Sequence, residues 1–104
     1  MKSWNIASND STWEILGQTT RTQGAVMAVA AGESEGGPEN LHEDADQWLF
    51  VLDGAGEAIV KGYSIPLQKG VLVLIEAGDA HEIRGGEGGL RTLNFYGPPV
   101  EFEG

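Results

Sequence analysis

Apolar residues in this chain come in short bursts that alternate or run solid, with no recurrence every third or fourth position. That pattern predicts strands and no sustained helix. Trp13–Leu16 reads as a short strand ending at Gly17. Thr22–Ala31 reads as a longer one carrying Val26, Met27 and Val29. Gly32–Glu39 (GESEGGPE) has the composition of a loop. Gln47–Leu52 (QWLFVL) is an apolar strand that Asp53-Gly54 should stop; Glu57–Lys61 follows Gly56, and Tyr63–Leu67 follows Gly62. Val71–Ile75 (VLVLI) is a second solid run. Glu82–Arg84 and Leu90–Tyr96 come next, and Pro98-Pro99 ends regular pairing. Turn signals at intervals of about eight to twelve residues predict an all-β sandwich or barrel. QWLFVL and VLVLI are apolar at both parities, whereas a strand with one wet face alternates. One face of these strands should line an interior. The other needs cover from the N-terminal strands, residues 1–17, or from a second subunit, so the pattern predicts a homodimer.

Length then limits the organisation. A chain of 104 residues is one domain, and a domain this small buries only roughly 60–65% of its unfolded surface, a thin margin that association would widen. The 16 glycines are scattered as punctuation, as many short strands require. Six basic against 16 acidic residues leave a formal charge of −10, which repels phosphate backbones and anionic lipid; neither nucleic acid nor membrane is an expected partner. There is no cysteine, so disulfides, dithiol redox chemistry and thiolate metal sites are excluded. MKSWNIASNDSTWE lacks the apolar stretch of a signal peptide, and no apolar run approaches the roughly 20 residues of a membrane helix. A cytoplasmic location is the expectation.

The candidate chemistry sits in two segments. The first reads Asn40-x-His42-x4-Gln47-x6-Gly54. The second reads Gly70-VLVLI-Glu76-Ala77-Gly78-Asp79-Ala80-His81. Residues i, i+2 and i+4 of a strand share a face, so Asn40, His42 and Asp44 form one inward set, and Leu49 and Val51 share the face of Gln47. Gly78 is placed to supply a positive-φ turn before His81. The chain's two histidines both fall in these segments.

In order and separation the two segments resemble the paired motifs of the cupin superfamily. The first family motif runs G-x5-H-x-H, then three or four residues, then E-x6-G; the second runs G-x5-P-x-G-x2-H-x3-N. Here Asn40 stands for the first His, Gln47 for Glu, Glu76 for Pro and Gly85 for Asn. In a second register His42 and Asp44 stand for the His pair, with the gap to Gln47 one residue short. The resemblance implies an all-β double-stranded β-helix (cupin or jelly-roll barrel), its core about residues 22–97.

Family members that bear metal ligate a divalent ion through three His and one Glu. The resemblance therefore implies His42, Gln47 and His81 as metal ligands, with Asn40 a weak fourth, or Asp44 in its place in the second register. The amide of Gln47 is neutral and offers no general base; imidazole binds Zn, Ni, Cu and Fe well, and the divalent ion implied is Zn, Fe, Ni or Mn. Pocket candidates are Met27, Val29, Leu49, Val51, Arg84, Asn94 and Tyr96. Val26 and Ala28 are the alternative for the second strand, and a surface ion pair is the alternative for Arg84. Trp48 and Phe50, opposite Gln47, read as packing or interface residues. Two functions fit the resemblance: a small metalloenzyme of dioxygenase, isomerase or lyase type acting on a small organic molecule, or a non-catalytic small-ligand binder with a degenerate metal site. No catalytic residue is assigned.

Overall fold

The structure is a computed structural model that describes residues 1–37 and 44–100. Asn40 and His42 lie outside the described residues. The elements are β1 (Trp13–Gln18), β2 (Gln23–Val29), β3 (Ser34–Gly37), β4 (Asp46–Val60), β5 (Tyr63–Gln68), β6 (Leu72–Ile75) and β7 (His81–Gly97). The described residues contain no helix, and hence none long and apolar enough to cross a membrane.

Two long antiparallel strands organise the barrel. β4 and β7 pair from Asp46↔Gly97 to Val60↔His81. Around their first half the strands run β1-β2-β7-β4-β6; around the second half they run β3-β7-β4-β5. The two halves meet at a corner where the register slips between Val51 and Asp53 and again between Gly54 and Gly56. The backbones crowd together there. A methyl group at Gly54 would meet the Gly89 carbonyl, and one at Gly56 the Arg84 carbonyl. Glycine is required at the corner for this close approach.

The sequence pattern is corrected at three points. Asp53-Gly54 does not end a strand, and Glu82–Arg84 and Leu90–Tyr96 are ends of one strand: glycine bends both strands through the corner without breaking them. Within the segment read as a loop, Ser34–Gly37 pairs along the edge of β7. An exposed edge needs only backbone hydrogen bonds, so a polar, glycine-rich stretch suffices.

Burial alternates as the pleat requires. On β4, Ala45 (just before it), Gln47, Leu49 and Val51 are buried while Trp48 and Phe50 are exposed; on β7, Leu90, Thr92, Asn94 and Tyr96 are buried. Met27, Val29, Leu49, Val51, Ala58, Leu67, Val73, Ile75, Ile83 and Leu90 form one core cluster. Each fully buried aliphatic side chain contributes about 1.5–3 kcal/mol.

β1 lies beside β2 in the sheet rather than over it. The segment before β1 is held by Arg91, whose Nη2 donates to the Asn9 carbonyl at 2.8 Å and to the Ile6 carbonyl at 3.1 Å. Trp4 sits against Gly17, where only the absence of a Cβ leaves room for the indole.

Candidate functional site

Gln47 enters the interior at the start of β4, between Ile75 of β6 and Tyr96 of β7. Its neighbour Asp46 faces outward and accepts a hydrogen bond from the Ala77 N–H at 3.0 Å. That bond pins the β6–β7 connection to β4. The connection is a tight turn, closed by the Asp79 N–H donating to the Glu76 carbonyl at 3.0 Å, with Gly78 at φ +86°. A positive φ at the third position is the type II requirement, which glycine meets without strain. The turn delivers His81 to the first position of β7, and His81 and Ile83 then share the inward face.

The His81 ring has a defined tautomer. Its Nδ1 lies 3.2 Å from the Asp79 carbonyl oxygen, which only accepts, so Nδ1 carries the proton and Nε2 the lone pair. Burial pushes the imidazole below its ordinary value near 6.5, outweighing the Asp79 carbonyl and carboxylate that pull it upward. The ring is therefore neutral at neutral pH, the form that ligates a metal. Lys61 holds the Asp79 carboxylate in turn, Nζ to Oδ1 at 3.2 Å.

Gln47 differs from the other buried polar side chains. Its Oε1 is fully buried and has no hydrogen-bond partner among the described residues. Such an atom costs about 1–3 kcal/mol. By contrast, Asn94 donates through Nδ2 to the Thr92 hydroxyl at 3.2 Å. Gln23 donates to the Gln18 side chain and the Val100 carbonyl and accepts from the Val100 N–H. Tyr96 packs edge-on against Trp13 with centroids 6.3 Å apart, and burial pushes its phenol upward, so the hydroxyl stays protonated.

Of the pocket candidates, Met27, Val29, Leu49 and Val51 belong to the core cluster, and Asn94 and Tyr96 are buried. Both faces of β2 are covered, since Val26 on the opposite parity is also buried. Arg84 lies on the other side of β7. It is exposed and pairs with Glu57 at 3.3 Å and Glu82 at 3.2 Å, so it does not enter the interior. The reason is parity: His81 and Ile83 point in, so Arg84 points out. Asp44 is exposed in the turn before β4. Among the described residues no three His, Asp or Glu side chains are grouped as a metal site needs. Thr92 and Gln23 are inward polar residues that the sequence reading did not single out. Thr92 was within reach of it, two positions before Asn94 on the same face.

A family model of the cupin domain matches residues 25–96. Among solved structures, a protein of Bacillus halodurans (BH2720) superimposes with a TM-score of 0.87 at 23% identity, over 99% of this chain and 85% of its own. KdgF from a Halomonas species gives 0.78 at 21% identity, over 86% and 79%. An RmlC-like cupin from Desulfovibrio desulfuricans gives 0.80 at 20%, over 96% and 99%. No curated protein matches the sequence.

Proposed function

The chain belongs to the cupin family, and we propose that its barrel holds a small organic molecule beside a divalent metal ion whose protein ligands are His42, Gln47 and His81. The observation that supports this most directly is the unsatisfied Oε1 of Gln47. A native interior rarely keeps such an atom without a use, and a cation or a donor group on a bound molecule would satisfy it. His81 suits the same role: its lone pair is on Nε2, its other nitrogen is oriented by a backbone carbonyl, and burial keeps it neutral. Asn40 completes the set as a fourth donor.

A bound divalent ion supplies Lewis acidity, polarising a carbonyl or orienting a hydroxyl. The chain's own residues do the rest. Met27, Leu49 and Val51 keep the interior apolar and exclude water. Tyr96 stays a neutral hydroxyl. Gln47 adds no charge and moves no proton. The proposed ligands are thus all neutral, a weaker set than one that includes a carboxylate. That neutrality favours a second reading, in which the same atoms hydrogen-bond an organic ligand and no reaction follows.

Elemental analysis separates the two. Protein purified without added metal and then incubated with Zn, Ni, Fe or Mn should retain about one ion per chain. His81→Ala should lose it with an unchanged circular-dichroism spectrum. Full metal content in His81→Ala overturns the assignment. Failure of the wild type to retain any of the four ions leaves the metal-free reading, which a ligand-dependent rise in melting temperature would then test.

A further inference from the structure

The hairpin between β4 and β5 closes through Lys61 and Gly62 alone, with Val60 paired to Tyr63. Both central residues have positive φ, +52° at Lys61 and +83° at Gly62. That is the two-residue type I′ turn, whose twist matches that of the strands it joins. Its first position favours Asn, Asp or Gly, because a Cβ crowds the following carbonyl there. Lys61 is the only non-glycine with positive φ among the described residues. A long side chain therefore occupies a position that a shorter residue would take with less strain, and strain of this kind persists where the side chain has a use.

That use is visible on the neighbouring turn. The Lys61 N–H donates to the Ala80 carbonyl at 3.1 Å, and Nζ reaches Asp79 Oδ1 at 3.2 Å. One residue thus grips two consecutive residues of the connection that delivers His81. The aspartate side chain is mostly buried, so its carboxylate stands at a fixed place on the turn and the exposed lysine reaches to it. At the other end of the same connection Asp46 accepts from the Ala77 N–H. The two anchors bracket Gly78, with its left-handed φ. Between them they hold the Asp79 carbonyl, whose oxygen lies 3.2 Å from Nδ1 of His81. Ladder pairing with Val60 fixes the His81 backbone but not the direction of its ring.

We infer that Lys61 is a positioning residue for His81. By gripping Asp79 and Ala80 it aims the Asp79 carbonyl at Nδ1, which keeps the proton there and leaves Nε2 as the ring atom with a lone pair to offer. The two contacts have separate parts. The backbone bond to Ala80 needs only the turn, and any residue that keeps the left-handed φ at this position keeps it. The ion pair needs a cation with the reach of lysine, which is why Asn or Gly does not stand here. A group that orients a ligating imidazole through its other nitrogen typically changes metal affinity about 10–100-fold. The inference rests on the reading of His81 as a donor to a bound ion or molecule; it adds the exposed residue on which the ring's orientation depends.

Lys61→Asn removes the ion pair and keeps the turn, since asparagine tolerates a left-handed φ, so the variant should fold with an unchanged circular-dichroism spectrum. Nitrogen-15 NMR of the metal-free chain at about pH 8, where His81 is neutral, reads the ring directly. The wild type should show the Nδ1–H tautomer alone, its proton slow to exchange. Lys61→Asn should show a mixture of tautomers and an Nδ1 proton that exchanges about ten times faster. Lys61→Arg, which restores a cation, should return both to wild-type values. With zinc, chelator competition should give a Kd about 10-fold weaker for Lys61→Asn and near the wild type for Lys61→Arg. A purely structural turn residue would move the melting temperature and leave the tautomer as it is. Unchanged tautomer and exchange in Lys61→Asn overturn the inference, and so does a Lys61→Arg variant that behaves as Lys61→Asn does. A wild type that binds no zinc removes only the metal reading of the site, because the tautomer of the metal-free protein still decides the role of Lys61.

Discussion

Replacing Gln47 with methionine should stabilise the metal-free protein. The two side chains are both unbranched and similar in size, and they lose similar rotamer freedom on burial, so packing and entropy nearly cancel. What changes is the amide. Oε1 of Gln47 is buried without a partner among the described residues. Its desolvation penalty is about 1–3 kcal/mol, and the substitution removes it. A gain of about 1–2 kcal/mol remains after some loss from imperfect fit, which for a domain of this size raises the melting temperature by roughly 4–16 °C. The assay is urea unfolding of chelator-treated wild type and variant, read by circular dichroism, with equal m-values required before midpoints are compared. In added metal the order should narrow or reverse, because only the wild type gains binding energy from Oε1. If Gln47→Met loses more than about 1 kcal/mol without metal, Oε1 has a protein partner in the native state. Oε1 then does not await a ligand.

Two further outcomes follow from named contacts. Arg91 ties the backbone of Ile6 and Asn9 to β7; Arg91→Ala should cost about 1–3 kcal/mol and speed proteolysis before β1, and an unchanged cleavage rate would show that Arg91 does not hold the segment. His81 binds its proton less tightly in the folded chain than in the unfolded one. The unfolded state therefore holds more protons between the folded pKa and about 6.5, and metal-free stability should rise with pH through that window and level off above it. His81→Asn should flatten this part of the profile, and an identical slope in wild type and variant would refute the assignment.

The elements that carry the site were legible because each has a local signature. Parity put Gln47, Leu49 and Val51 on one face, and they are buried together. The spacing before His81 places a positive-φ turn at Gly78, and its φ is +86°. The solid runs QWLFVL and VLVLI pointed to a second apolar face, and Trp48, Phe50, Leu72 and Leu74 form it. The corner was not legible. Asp53-Gly54 and the Gly85–Gly89 stretch look like strand ends, because glycine that admits a neighbouring backbone carries the same letter as glycine that ends a strand. β3 was missed because Ser34–Gly37 has no apolar face to advertise, and its pairing depends on β7, nearly fifty residues away in sequence. Arg84 was legible in principle, since parity counted from His81 places it outward.

The burial of Gln47 and the exposure of Trp48 are one fact about register. A slip of one residue between β4 and its neighbours would turn every side chain over, placing Trp48 and Phe50 inside and Gln47 and Leu49 outside. On hydrophobic grounds alone the slipped strand is not absurd, because both parities of Gln47–Leu52 are largely apolar. Something other than burial must fix the pairing, and the structure supplies three restraints. Asp46 holds the Ala77 N–H, locking β4 to the turn after β6. The register shifts flanking Asp53 and Gly54 are committed to their places in the ladder. At Gly54 and Gly56 the partner carbonyls leave no room for another residue. Each restraint is short-range and polar or steric, and together they hold an amide oxygen in an interior that would otherwise favour its exchange for a hydrocarbon. The same restraints present Trp48 and Phe95 outward in fixed register, so the buried amide and the exposed apolar face are set by one pairing of β4 with β7.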